Sequence, residues 1–441
     1  MADSGRSALF VAPSAYPLGG VAVWLDYLAV ALQRAGWAVT AGLVSGHCHD
    51  VAAYRSAYPS LPAEEIRNFT GSAEGRIRAI ERALVQLRPD IVVGVNIVDV
   101  YVAAQRVRQS GQALKVVMSL HGIAADLLAD LAREAPWLDA VIATNRLACC
   151  LCSEQAGMPP ERVLYAPYGV NIDSLAENNR SPRGSPLRIV WVGRLEQAQK
   201  RVHDLRAIAT ELDRLGFDYL LRIAGDGPER AQVLQSLEPW ITRGTVEYLG
   251  ALPAADLGPM VYAHADALLL TSMWETGPIV VWEAMAAGTA VVTSRYIGSG
   301  LEAALQPGLN CLAFGVGDAA GAARQLARLD ADGNFHAALV RNGRALVRER
   351  YSVDASVMSW AQCLDEVMAL PAQMAPVRTW QPLPSGRLDR LLGVGPAETV
   401  RKLLGLSHVH QEPGGEWPHT AHAGADEDEL LRQAAILDSV S

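Results

Sequence analysis

Lysine is almost absent from this chain: the basic residues are arginines except for Lys115, Lys200 and Lys402. Basic charge is not in excess either. The 47 acidic and 38 basic residues leave a formal net charge of -9, so there is no electrostatic reason to expect a nucleic-acid binder, which needs a basic face to displace phosphate counterions. Cysteine is sparse: there are 6, crowded in part at Cys149, Cys150 and Cys152. Neighbours in sequence are hard to bridge without strain, so this is no disulfide framework and the chain reads as cytoplasmic. No apolar run approaches the ~18 residues needed to span a bilayer. The first twenty residues lack a basic start followed by a long apolar region, so no signal peptide is expected. What the chain does have is length and apolar content, 441 residues with 50% hydrophobic and 19% charged. At roughly 100–200 residues per domain this suggests two domains of similar size, or three, and excludes disorder and collagen.

Short runs of β-branched and other apolar residues alternate with longer amphipathic stretches, the pattern of strands joined by helical crossovers in a mostly parallel sheet covered on both faces. The class is α/β. In the first half, strands are predicted at Ala8–Ala12, Ala38–Val44, Ile91–Val95, Lys115–Ser119, Ala140–Ala143 and Val163–Ala166, with a helix over Val21–Ala35. A polar segment follows, Glu177–Pro186, whose turn formers mark it as a linker. From Leu187 the pattern restarts, with strands at Ile189–Val192, Leu220–Ala224, Val246–Leu249, Ala267–Thr271 and Ala290–Thr293. Two doubly wound, Rossmann-like domains therefore stand in tandem, over 1–178 and 187–368, with the linker at 179–186. Beyond the helical stretch Ala355–Met368, a Pro/Gly-rich tail (369–441), expected to be partly disordered or packed on the surface and without a catalytic group, includes the acidic run Asp426–Glu429, read as solvated.

In open α/β sheets ligands gather at the carboxyl ends of strands, so the loops after strands carry the chemistry. Gly19-Gly20 follows the first strand and opens a helix, where glycine permits close backbone approach and helix amides face a phosphate. Taken alone, such a pair is more often just a turn. Gly193-Arg194-Leu195, with Lys200 and Arg201 shortly after, places fixed cations at the end of a buried strand, suited to a diphosphate. Gly225-Asp226-Gly227-Pro228 lacks the third glycine of a dinucleotide fingerprint and reads as a turn lining a cleft. The most specific segment runs from Trp274 to Gly288. Thr276 or Gly277 can cap a helix with Pro278 in its first turn and Gly288 just past its end. Glu275 then sits ahead of that helix and Glu283 on it, with the amides of Ile279 and Val280 between. Carboxylates accept from vicinal hydroxyls while helix amides face phosphates, an arrangement suited to a sugar nucleotide. Pattern alone favours the plainer reading of a helix start and a surface residue.

In this order, GRL, QKR, GDGPE, YLG, ADALLLTS, E-x7-E ending EAMAAG, and AVVTS resemble the donor domain of retaining glycosyltransferases of family 4, with the GT-B fold of two Rossmann-like domains and a cleft between them. PYGVN (Pro167–Asn171) resembles that family's approach to the interdomain linker, and Gly19-Gly20 its amino-terminal glycine loop. The likeness covers roughly residues 8–368. It implies that Arg194 and Lys200 hold the donor diphosphate, Glu283 the ribose hydroxyls and Glu275 the donor sugar. Gly20 would approach the donor, and His121, after LKVVMSL, would stand near the transferred sugar; without the family, His121 is a strand-end histidine with a packing or capping role at least as natural. The implied activity is transfer of a hexose-type sugar, with retention, from a UDP- or GDP-type nucleotide sugar to a glycan, lipid-linked or small-molecule acceptor, without metal or cofactor. Electrostatic stabilisation of the departing diphosphate would carry the catalysis.

The chain departs from the family at Gly277-Pro278, where most members place an aromatic and then a glycine. Pro278 has no N–H, so Gly277, Ile279 or Val280 must supply the amides. The Arg194-to-Lys200 spacing is one longer than common, so Arg201 could share the role. Asp330-Ala331-Asp332 spells a metal-binding D-x-D but follows a helix-like stretch, and His47-Cys48-His49 lacks a second ligand pair at zinc spacing. Neither is read as a metal site. Arg76, Arg78, Arg82, Arg106 and Arg108 could hold the chain on an anionic inner leaflet; a face salt-bridged to Glu74 and Glu81 is the plainer alternative. A sugar-nucleotide epimerase and a catalytically silent nucleotide-sugar binder are the competing functions.

Overall fold

The computed structural model describes residues 6–14, 20–45, 50–173, 175, 185–371, 373, 384, 386–408 and 426–439. They fall into two compact units. The first takes Met1–Thr144, Ala148–Ala166 and Val357–Leu430; the second takes Asn145–Leu147, Pro167–Ser356 and Leu431–Ser441. Gly19, His47, Cys48 and His49 lie outside the described residues, as does the linker apart from Ser185 and Pro186.

The first unit holds a seven-stranded sheet of β1 (Ser7–Pro13), β2 (Ala38–Val44), β3 (Ala63–Ile66), β4 (Ile91–Val95), β5 (Lys115–Leu120), β6 (Ala140–Ala143) and β7 (Val163–Tyr165). The second holds a six-stranded sheet of β8 (Leu187–Val192), β9 (Tyr219–Ala224), β10 (Val246–Gly250), β11 (Ala267–Leu270), β12 (Ala290–Ser294) and β13 (Leu312–Phe314). Their orders are β3-β2-β1-β4-β5-β6-β7 and β10-β9-β8-β11-β12-β13, and the pairings throughout are parallel. This is the doubly wound arrangement in each unit, as the sequence pattern predicts.

The near-continuous apolar runs follow from burial on both faces. In the second unit Ile189, Trp191, Ala267 and Leu269 point to one face, against Leu205, Ile208 and Leu212 of the helix Asp204–Arg214 and Leu326 and Leu329 of the helix Ala319–Ala331. The alternate residues Val190, Val192, Leu268 and Leu270 pack on the other, against Val281, Trp282 and Met285 of the helix Ile279–Ala287.

The strands read from the sequence are present, with ends shifted by two residues at most; β3 and β13 are additional, and each is an outer strand of its sheet. The tail also holds more order than its composition suggests, with helices at Arg387–Leu392, Val394–Leu404 and Glu427–Asp438. The acidic run is no solvated tail. It is the start of the last helix, where Asp426 Oδ1 accepts from Glu429 N at 3.0 Å and Glu427 Oε2 accepts from Ala125 N at 2.9 Å. Among the described residues no helix is long and apolar enough to cross a membrane.

Candidate active site

In each sheet the winding reverses between the first strand and the fourth, and the loops leaving those two strands border the crevice where open parallel sheets take ligands. In the second unit they are the loops after β8 and β11. The first carries Gly193 and Arg194. It is braced by the loop after β9, because Leu195 N donates to Asp226 O at 2.9 Å and Glu229 N to Leu195 O at 3.1 Å. The contact is so close that a Cβ on Gly225 (φ +141°) would strike the Gly193 carbonyl, and one on Gly227 the Leu195 backbone. The two glycines therefore serve loop-on-loop packing. The braced loop presents Arg194 as an exposed cation with no side-chain partner among the described residues.

Lys200 is fixed at both ends. Its N–H donates to Glu196 Oε1 (2.9 Å) and its carbonyl accepts from Thr271 Oγ1 (2.6 Å), whose oxygen in turn accepts from Trp191 Nε1 at 3.0 Å. Its ammonium reaches the loop after β11 and donates to Glu275 Oε1 at 2.6 Å. Glu275 is 5% exposed. The same oxygen accepts from Ser272 Oγ at 2.6 Å, and Gln199 Nε2 lies 3.4 Å from Oε2. Loss of either partner would leave a largely desolvated charge, so the pair holds the geometry of both loops.

The chain then turns through Gly277, whose φ of +132° and closeness to the Tyr168 ring, 2.7 Å from a would-be Cβ, require glycine. The cap differs by one residue from the sequence expectation: Pro278 itself is the N-cap, with no side-chain cap bond, and the helix begins at Ile279 and ends before Gly288 (φ +79°). Val281 N donates to Pro278 O at 2.8 Å, whereas the amides of Gly277, Ile279 and Val280 donate to no described atom. Open amides at a helix N-terminus form an anion site. Farther along that helix, Glu283 Oε2 accepts from the Tyr262 hydroxyl at 2.9 Å. Burial pushes its carboxyl up to about 7, and the Tyr262 hydrogen bond opposes the shift.

The second unit thus brings Lys200 and Glu275 into contact, with Arg194 on the loop after β8 and Gly277, Ile279, Val280 and Glu283 on the loop and helix after β11. In the first unit, Gly20 opens the helix Gly20–Arg34 and is exposed. His121 follows β5 and is buried, with Nε2 3.0 Å from Ser119 Oγ and its ring edge-on to Trp24 at 4.4 Å between centroids. Burial lowers its pKa to about 3, so it is neutral at physiological pH.

Sequence reasoning passed over the residues that position these groups: Glu196, Gln199, Thr271, Ser272 and Tyr262. Thr271 and Ser272 close the ADALLLTS run, and hydroxyls ending an apolar strand were the available signal. In the first unit it also missed Asn96. This residue follows β4, one of the two strands at that unit's reversal, with φ +54° and a buried Oδ1 without a partner among the described residues.

Other expectations take different places. Arg201 is bound by its own turn, donating from Nε and a terminal nitrogen to Asp204 at 2.8 and 3.0 Å. Asp332 caps the helix Gly333–Leu346, accepting from Asn334 N and Phe335 N, and Asp330 belongs to the preceding helix. The arginine cluster of the first unit is no free cationic face. Arg76 pairs with Asp99 (2.6 Å), Arg78 and Arg106 with Glu74 (2.8 and 2.9 Å), and Arg108 with Asp139. Arg82 reaches the Arg67 carbonyl at 3.4 Å. Arg78 and Arg106 follow the salt-bridged alternative, whereas Arg82 is exposed and meets no carboxylate among the described residues.

Two family models match in succession, Glycosyltransferase Family 4 over residues 18–174 and Glycosyl transferases group 1 over residues 186–332. A glycogen synthase of Mycobacterium tuberculosis is 34% identical over 149 residues, 33% of this chain and 35% of that protein. The match thus spans about a third of the curated relative's length. Among solved structures, a glycosyltransferase from Rickettsia africae superposes with a TM-score of 0.68 at 13% identity, covering 83% of this chain and 99% of the other. Anabaena Alr3699/HepE in complex with UDP superposes with a TM-score of 0.67 at 18% identity, covering 82% and 100%. The fold is the one these glycosyltransferases share.

Proposed function

We propose that this chain, a GT-B-type homologue of glycosyltransferases, is a retaining, family 4 glycosyltransferase. It moves a hexose from a UDP- or GDP-type nucleotide sugar to a glycan, lipid-linked or small-molecule acceptor, without a metal. The observation that carries this reading is the cluster at the reversal of the second sheet. Among the described residues Arg194 is exposed with no side-chain partner, Lys200 is held 2.6 Å from Glu275, and three amides at the start of the helix bearing Glu283 donate to no described atom.

Each group has a task the chemistry needs. Arg194, Lys200 and the amides of Gly277, Ile279 and Val280 hold the diphosphate and stabilise its charge as the bond from the anomeric carbon to the phosphate oxygen breaks. The acceptor oxygen bonds to the same face of that carbon and passes its proton to the departing phosphate oxygen. Glu283 accepts from the ribose hydroxyls. Glu275 accepts from sugar hydroxyls and is a poor nucleophile, since one of its oxygens already takes two hydrogen bonds of 2.6 Å. This favours same-face transfer over a covalent glycosyl intermediate, whose nucleophile would have to be a carboxylate already engaged in an ion pair with Lys200. Two features of Anabaena HepE accord with the donor class: it is crystallised with UDP, and in a second structure with UDP and glucose. His121 and Gly20 enter the reading through the family resemblance, which assigns His121 to the transferred sugar and Gly20 to the donor.

The test is incubation of purified protein with a panel of nucleotide sugars, with and without glycan, lipid-linked and small acceptors. Nucleoside diphosphate release that depends on acceptor, with the product anomer matching the donor by NMR, is expected. Interconversion of the donor sugars without diphosphate release would make the protein an epimerase. Donor binding with no turnover across the panel would make it a silent binder.

A further inference from the structure

The first unit includes two short helices that meet at Gly393, Arg387–Leu392 and Val394–Leu404. On the second, Val394, Ala397, Glu398 and Arg401 recur at i, i+3, i+4 and i+7 and are all buried. This inward face is fixed largely by polar contacts. Glu398 accepts from Thr70 Oγ1 at 2.8 and 2.9 Å and from Ser72 Oγ at 2.5 Å. Arg401 forms an ion pair with Asp389 of the preceding helix, and His408 N donates to Thr70 O at 2.6 Å. The pair of helices is therefore a seated part of the unit.

Its outward side is apolar. Leu391 and Leu403 are each 79% exposed and Leu404 is 67%, with Leu392 and Leu406 also exposed. These five are among fourteen large apolar side chains exposed in the described residues, and they fall between Leu391 and Leu406. Phe69, adjacent to the Thr70 that His408 binds, adds another exposed ring. Such a concentration on one short stretch marks an interaction surface. The charge beside it has a single sign. Asp389 and Glu398 are the acids between Gly386 and His408 and both are buried, whereas Arg387, Arg390 and Lys402 are exposed.

We propose that these two helices form a docking surface for an anionic lipid bilayer, with the leucines entering the acyl boundary and Arg387, Arg390 and Lys402 meeting the headgroup phosphates. Two observations favour lipid over a protein partner. The leucines protrude from the ends of short helices, where liquid acyl chains receive them without a matching groove. Within 386–408 the exposed charge is wholly cationic, as an interfacial helix on anionic lipid requires. The proposal does not depend on the transfer reaction, because membrane binding is read without turnover.

Flotation of the full chain with vesicles of phosphatidylcholine, alone or with about one-third phosphatidylglycerol, tests it at low salt. Binding at least ~10-fold stronger to the anionic vesicles is expected, weakening as salt is raised. The variant Leu391→Ser/Leu403→Ser/Leu404→Ser should lose at least ~10-fold of that binding while melting as the wild type does, since the three side chains are exposed. Arg390→Glu/Lys402→Glu should lose the preference for anionic vesicles. Equal flotation of wild type and both variants would overturn the proposal, as would no flotation at low salt. A wild-type dimer dissolved by the leucine substitutions would assign the face to a second copy and overturn it too.

Discussion

The two sheets end in different chemistry. At the carboxyl ends of the second sheet stand two cations, two carboxylates and three open amides; at the end of β5 in the first stands a histidine that burial keeps neutral, against the edge of Trp24. The same doubly wound plan therefore ends in charged groups at these strand ends of one unit and in a neutral imidazole at the end of β5 in the other. On the proposed reading, charge belongs where a diphosphate is held and its leaving stabilised. A neutral imidazole can bind a hydroxyl by hydrogen bonding without competing for that anion.

The largest expected effect lies in the charged site. Replacing Arg194 or Lys200 by Ala should lower turnover by at least ~100-fold, about 3 kcal/mol of leaving-group stabilisation. The two should differ in a second readout. Lys200→Ala also leaves the buried Glu275 without its ion-pair partner and should lower the melting temperature, whereas Arg194→Ala, at an exposed and unpaired residue, should not. Wild-type turnover in either folded variant would break the contrast between the units.

The pH profile sharpens it next. Below about 7, Glu283 binds a proton and loses acceptor capacity, so donor affinity should rise by about 10-fold as the pH is raised through that value. Glu283→Gln should flatten the profile. His121, with its pKa lowered to about 3, contributes no titration there, so His121→Ala should lower turnover by about 10-fold at each pH and leave the profile's shape unchanged. An inflection near neutrality that vanishes with His121 instead of Glu283 would reverse the assignment of charged and neutral sites.

The smallest effects concern groups outside both sites. Turnover should survive a chelator, and Asp332→Ala should cost about 1 kcal/mol of stability through loss of a helix cap while leaving turnover intact. An obligate requirement for manganese or magnesium would move the chemistry away from Arg194 and Lys200.

The same contrast shows what was legible in the sequence. Inner strands such as Ile91–Val95 and Ala140–Ala143 are buried on both faces and read as unbroken apolar runs. β3, Ala-Glu-Glu-Ile, is polar and β13, Leu-Ala-Phe, is only three residues long; both sit at sheet edges, where one flank is unpaired and strands are short. The helix Val394–Leu404 was hidden because its inward face includes Glu398 and Arg401, charged residues that are buried only because Thr70, Ser72 and Asp389 satisfy them. At the site, the charged residues were legible through motif order. Their supports Gln199 and Tyr262 were not, since a hydrogen bond between distant segments leaves no periodic trace.

The central claim is that the second unit's cations meet the phosphate nearest the sugar. Calorimetric titration of a nucleoside diphosphate against its monophosphate tests this most directly. The account expects the diphosphate to bind at least ~10-fold more tightly than the monophosphate to the wild type, and that advantage to disappear in Arg194→Ala, since one charge-assisted contact has about that value. Equal affinities in the wild type, or an advantage that survives in Arg194→Ala and Lys200→Ala alike, would contradict it.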